Sequence, residues 1–244
     1  TWGIIIMPNF SGVWDLRQQG VAQQGSLWSN PPEIFQQIAL FFGGSAGSGG
    51  QNYIDQRNLA STGNASDFGD MSAGKSSVSA LGNTTRGIVG GGYVASVGRT
   101  NVIEYVTFAS ASNTTDFGDL SDSKQTSATA SNHTRGIFAG GETTTNTNDF
   151  GDLLSVVSYA AGGLCSPTRS VFAGGFNGSA FLDVIQYVTT ASTGNSTDFG
   201  DLSQGFYNGS GVSSSTRGIV GAGYFGGASN ILEYITIAST GDST

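Results

Sequence analysis

Two short elements recur down the chain, and their spacing constrains the fold more than any single residue does. The first is Thr85-Arg86-Gly87-Ile88-Val89-Gly90-Gly91, which returns at 134–141, 168–175 and 216–221. The second is Asp-Phe-Gly-Asp, found at 67–70, 116–119, 149–152 and 198–201. From arginine to arginine (86, 135, 169, 217) the steps are 49, 34 and 48 residues, and between the first aspartates (67, 116, 149, 198) they are 49, 33 and 49. A period near fifty, with one unit about fifteen residues short, points to a repeat architecture in which each unit buries its apolar face on the next.

The units align on a third element. Asn52 to Ser61, Asn101 to Ser110, Asp183 to Ser192 and Asn230 to Ser239 match without gaps. β-Branched and aromatic residues occupy both alternating sets of positions there, as in strands covered on both faces. Each complete unit reads as four short strands. The first is weak (76–81, 126–130, 211–214), the second opens on the arginine and ends on paired glycines, the third is the Ile-Glu-Tyr strand, and the fourth surrounds Asp-Phe-Gly-Asp. Four short strands per repeat of about fifty residues is the layout of a propeller blade.

Two units depart from this plan. Between Gly141 and Asp149 only seven residues remain, so the third unit has nothing from which to form its third strand; either that blade is smaller or the ring is distorted there. The last unit stops before a fourth strand, which would leave an open sheet edge. The segment Phe10 to Leu16, with Trp14-Asp15-Leu16 resembling the fourth-strand element, is the expected closing strand. The reading is thus an all-β propeller of about five four-stranded blades, the third abbreviated. Residues 1–38 form an N-terminal closing or attachment segment and 39–244 the repeats.

Composition narrows the function. The 244 residues include 39 glycines but only 11% charged residues, where about a quarter is usual. Net charge is -8, and the nine Lys and Arg are scattered, which argues against a nucleic-acid partner. One cysteine, Cys165, makes no internal disulfide, and one histidine, His133, builds no His/Cys metal cluster. The run Ile4-Ile5-Ile6-Met7 is too short to cross a bilayer, so neither membrane insertion nor a signal peptide is expected in these residues.

The repeated motifs invite chemistry and are better explained by structure. Asp-Phe-Gly-Asp offers paired carboxylates, but calcium needs six to eight oxygens and no closing Glu follows. A turn with a self-capping Asp, a positive-φ Gly and a Phe anchored between blades is favoured. Arg86, Arg135, Arg169 and Arg217 could ring an anion, yet one Arg per unit at one position reads as a repeated stacking or carbonyl contact. Glu104 and Glu233, mid-strand between apolar neighbours, are expected to pair with Arg86 and Arg217 of their own units, a costly placement unless satisfied. His133 lacks triad partners and falls at an ordinary turn position. Asn-X-Ser/Thr at Asn64, Asn83, Asn113, Asn132, Asn177, Asn195 and Asn208 reflects chance and turn chemistry. No catalytic residue, metal or cofactor is expected.

Meander geometry brings the loop between strands two and three onto the same face as the connection from strand four to the next unit. The first loop type carries Tyr93, Arg99, Phe176, Asn177, Phe181, Tyr224 and Phe225, and the second carries Lys75, Lys124, Phe206 and Tyr207. These segments vary most between units and concentrate aromatic and amide side chains suited to stacking on and bonding to sugars. Covering the blade ends is the competing use of the same rings.

The apolar pair before Gly-Gly, the third-strand Tyr and the aromatic–aliphatic pair of the fourth strand resemble kelch repeats, with Phe117 and Leu120 in place of the usual Trp. Cys165 brings to mind the radical-copper oxidases of that type, whose two His ligands one histidine cannot supply. At 194–202 and 215–218 the chain resembles kelch-like repeat proteins of aquatic bacteriophages, and 12–16 with Trp28-Ser29-Asn30-Pro31 is similar to how such proteins begin. The resemblance implies a non-enzymatic virion protein of a phage particle, in a tail fibre, tail tip or other surface appendage. Its partners would be host-surface glycan or receptor, or else neighbouring tail or capsid proteins.

Overall fold

The computed structural model describes residues 38–46, 49–143, 150–159 and 162–244. Every regular element among them is a strand, and the arrangement is a β-propeller of four blades built from the first, second, fourth and fifth repeat units. The expected closing strand around Trp14 lies outside the described residues.

The first-unit blade holds β1 (Ile38–Phe42), β2 (Ser45–Ala46), β3 (Gly49–Asn58) and β4 (Ser66–Lys75), with β3 central. The second holds β5 (Ser79–Gly82) and β6 (Arg86–Gly90), a loop hairpin of β7 (Tyr93–Val94) and β8 (Gly98–Arg99), then β9 (Val102–Thr107) and β10 (Thr115–Asp119). Among the described residues the third unit forms no such blade. It contributes the loop ladder of β11 (Lys124–Gln125) with β14 (Glu142–Thr143) and the two-stranded ladder of β12 (Ala128–Ser131) with β13 (Gly136–Ala139). The fourth unit is a four-stranded meander of β15 (Gly162–Cys165), β16 (Arg169–Phe176), β17 (Phe181–Thr189) and β18 (Thr197–Asp201). The fifth holds β19 (Ser210–Ser213), β20 (Arg217–Tyr224) and β21 (Ala228–Thr236).

The weak first strands lie innermost, β5, β12, β15 and β19 running side by side from unit to unit. Small residues allow this approach: a Cβ on Gly163 would sit 2.0 Å from the Thr129 carbonyl oxygen. Short side chains then bond across, Thr129 Oγ1 to Ala80 O and Ser131 Oγ to Gly82 O, each at 2.7 Å. Apolar clusters fill the spaces between the first and second, the third and fourth, and the fourth and fifth units. Val89 and Val106 pack on Phe68 and Met71, Phe172 and Val188 on Ile137, and Val220 and Ile235 on Leu164 and Phe199.

Three of the four Asp-Phe-Gly-Asp elements are joints between units; at Gly118 nothing lies within 4 Å of where a Cβ would sit. Gly69, Gly151 and Gly200 take φ of 152°, 155° and 147°, and a Cβ there would come within 2.2 to 2.4 Å of the next unit's backbone. The second Asp then donates its N–H to a side-chain oxygen of the next unit: Asp70 to Asn113 (3.0 Å), Asp152 to Asn195 (3.0 Å) and Asp201 to Asp242 (3.1 Å). The self-capping Asp occurs at Asp116, whose Oδ1 accepts Gly118 N–H at 3.1 Å. Two of the Asn-X-Ser/Thr asparagines, Asn113 and Asn195, are therefore joints. Asn83 and Asn132 each accept two backbone N–H groups in the turn before the arginine.

The arginines stack on rings within their own units. Arg86, Arg169 and Arg217 lie 4.5 to 4.6 Å from the centroids of Tyr105, Tyr187 and Tyr234. Arg135, whose unit lacks that tyrosine, lies 5.6 Å from Phe150. Arg135 and Arg169 also reach the next unit, donating to Thr190 O (3.0 Å) and Ile237 O (2.9 Å).

The glutamates differ from the sequence expectation. Glu104 pairs with buried Lys75 of the preceding unit, not with Arg86, and Glu233 is held by Ser203 and Ser243, not by Arg217. Strand alternation explains this, because Glu104 sits one position from Tyr105 and so faces the opposite side of the blade from the stacked arginine.

Candidate functional site

The double glycines set the loop face. The last glycine of each run donates its N–H to the strand-four connection, Gly44 to Lys75 O at 3.2 Å, and Gly92 to Lys124 O, Gly141 to Val157 O and Gly175 to Phe206 O at 2.8 to 2.9 Å. Beyond that bond the two loop types meet in isolated bridges or short ladders: Ser76 with Tyr93, Gln125 with Glu142, Tyr159 with Phe176, and Tyr207 with Tyr224. The backbone itself thus brings both variable segments onto one face.

Six rings gather there, from the fourth and fifth units and the connection before them. Phe181 stacks on Tyr207 at 5.5 Å between centroids with 16° between planes. Phe176 lies 5.5 Å from Phe181 and 5.8 Å from Tyr207, and Tyr159 lies 5.9 Å from Tyr207. Tyr224 and Phe225 meet Phe181 edge to face at 6.3 and 5.6 Å. The last two form the outer rim, 43% and 50% exposed, while the inner four are half-buried.

A polar chain leads away from this cluster. Tyr159 Oη donates to Glu142 Oε2 at 3.2 Å, Gln125 Nε2 donates to the same oxygen at 2.6 Å, and Arg99 closes an ion pair on Glu142. The Gln125 bond does most to hold the Glu142 carboxyl below its ordinary range, with Arg99 adding to it against the effect of burial. Burial and the Glu142 charge push the Tyr159 phenol up.

The chain matches no known protein family model and no curated protein.

Phe176, Phe181, Tyr207, Tyr224 and Phe225 come together in one cluster, whereas Tyr93 and Arg99 lie apart on the second-unit hairpin. Two assignments to the face need correction. Phe206 is 1% exposed, its side chain in the core between the fourth and fifth units. Lys75, which occupies the equivalent place after the first unit, is likewise buried. Asn177 lies in the loop between β16 and β17, where its side-chain oxygen accepts Ser179 N–H, Ser179 Oγ–H and Ala180 N–H. Tyr159 and Glu142 were missed. Tyr159 was legible by analogy, since it follows Asp152 by seven residues much as Tyr207 follows Asp201 by six.

Proposed function

We propose that this chain is a non-enzymatic, kelch-like propeller of a phage virion, carried on a tail fibre, tail tip or surface appendage, and that it engages host-surface glycan through the aromatic loop face. In this reading the two-stranded third unit counts as a fifth, abbreviated blade. The observation that carries the proposal is the ring cluster, where Tyr224 and Phe225 are exposed above rings already packed beneath them. Such preformed apolar surface suits the hydrophobic face of a sugar and costs little side-chain entropy on binding. The acidic chain argues for a neutral glycan over a polyanionic one. The resemblance of 194–202 and 215–218 to phage kelch-like repeats supports the particle context.

An architectural role, binding neighbouring tail or capsid proteins, is favoured by a different observation. Val212, Ile219 and Leu232 expose apolar side chains on the fifth-unit sheet. A panel of host polysaccharides probed with the purified chain separates the two readings. Saturable glycan binding that is lost in Tyr224→Ala/Phe225→Ala, with unchanged melting, supports the first. Absence of glycan binding combined with tight binding to a tail or capsid protein overturns it.

A further inference from the structure

We propose that the third unit is a docking groove for an extended peptide strand of a partner protein, which adds to the outer edge of β13 and takes the place that the third strand holds in the other units.

The place is kept, and no strand of the described residues occupies it. In the second unit β6 pairs with β5 on one side and β9 on the other; β13 pairs only with β12 among the described residues. Asn132 N–H donates to Arg135 O, so by alternation Arg135 and Ile137 face β12, and Gly136 and Phe138 turn their N–H and C=O outward. The fourth-strand segment has not moved in to compensate. Phe150 O accepts Gly194 N–H at 2.8 Å and Asp152 O accepts Ser196 N–H at 2.8 Å, as Phe199 and Asp201 do at the next joint.

Between β13 and that segment lies a groove of about 680 Å³, lined by Ile88, Ile103 and Phe117 of the second unit and by Arg135, Phe138 and Phe150. A strand residue takes about 3.3 Å along the chain, about 4.8 Å across the ladder and about 10 Å between sheets, so the groove holds roughly four residues. Phe117 is 51% exposed, whereas its counterparts Phe68 and Phe199 are 3% and 2% exposed beneath the next unit's third strand. Arg135 has no tyrosine of the kind that Arg86, Arg169 and Arg217 cover.

These two faces define the ligand. It is an extended segment with β-branched residues alternating toward Phe117 and an aromatic ring on the other side, beside Arg135, bound by main-chain ladder bonds. Within a second copy β3, β9 and β17 each pair on both edges of their own sheets, and β21, which pairs only with β20 among the described residues, is held there along most of its length, so a free segment of a partner fits the groove better than a strand of a second copy.

The test uses the full chain and a synthetic peptide with the sequence of 101–110, with a scrambled peptide as control. Saturable one-to-one binding of the first peptide only is expected, weakened about tenfold or more in Phe117→Ser, together with new hydrogen-exchange protection at Gly136 and Phe138. Equal binding of both peptides, or of neither, overturns the proposal. So does protection of the Gly136 and Phe138 amides in the free protein equal to that of Gly87 and Val89, which would mean that the edge is already paired within the chain. Self-association of the chain that the peptide suppresses would also overturn it, in favour of a second copy.

Discussion

Lys75 Nζ of the first unit lies 2.6 Å from Glu104 Oε2 of the second, and both side chains are 2% exposed. Glu104 also accepts Ser72 N–H and Thr114 Oγ1–H, each at 3.0 Å. Removing the carboxylate would leave a buried ammonium without a partner, so Glu104→Leu is expected to lose about 3 to 5 kcal/mol of stability. At the joint between the third and fourth units the equivalent places hold Val157 and Gln186, and Gln186 Oε1 accepts Leu154 N–H at 2.8 Å. The double variant Lys75→Met/Glu104→Gln imitates that joint and should stay within about 1 kcal/mol of the parent. Urea denaturation of both variants measures the difference.

Acid should loosen two joints together. Burial pushes the Glu104 carboxyl up, but the bonds from Lys75 and Ser72 outweigh it and hold the group below the ordinary glutamate value of 4.5. At Glu233 burial is likewise outweighed by the bonds from Ser203 and Ser243. A carboxyl depressed in the folded state contributes stability above its unfolded pKa and loses it as pH falls through the folded one. Melting temperature should therefore be level from neutral pH down to about 5 and fall below about 4.5. Glu233→Gln should flatten that fall; an unchanged acid slope in this variant would remove Glu233 as a contributor.

The repeat spacing made the propeller legible because the joints after the first, third and fourth units reuse the same few residues. Arg, Tyr, paired Gly and Asp-Phe-Gly-Asp all have one structural task per unit, so their recurrence encoded the strands and their order. The glutamate partners were not legible, because Lys75 lies in a segment that differs between units and its burial depends on which side of the blade Glu104 faces. Phe206 was misplaced for the same reason, since it occupies the position of Lys75 and points between blades. The positions of the loop residues recur but their identities change from unit to unit, so convergence of the rings required the bridges at Tyr159 and Tyr207, which sequence does not show.

Two glycines separate steric contact from backbone strain. At Gly200, φ is 147° and a Cβ would lie 2.4 Å from the backbone of Gly241, whereas at Gly178, φ is 96° and nothing lies within 4 Å. Gly178→Ala should cost about 1 to 2 kcal/mol from conformation alone. Gly200→Ala adds displacement of the following segment and should break the bond between Asp201 N–H and Asp242, for a total of about 3 kcal/mol or more. Thermal melts rank the two, and similar losses would show that the joint yields without cost.

Arginine at the second-strand position combines two interactions that a pair of variants can divide. Arg217 and Arg169 both lie 4.6 Å from a tyrosine centroid, but among the described residues only Arg169 also reaches a carbonyl of the following unit, Ile237 O at 2.9 Å. Lysine keeps the charge and loses the planar fork that stacks and bonds at once. Arg217→Lys should cost about 0.5 to 1 kcal/mol, the size of an exposed cation–π contact. Arg169→Lys loses in addition a charged hydrogen bond across the joint and should cost about 2 kcal/mol or more. Equal losses in chemical denaturation would show that stacking alone carries the arginine, and that the carbonyl contact contributes nothing to holding the fourth and fifth units together.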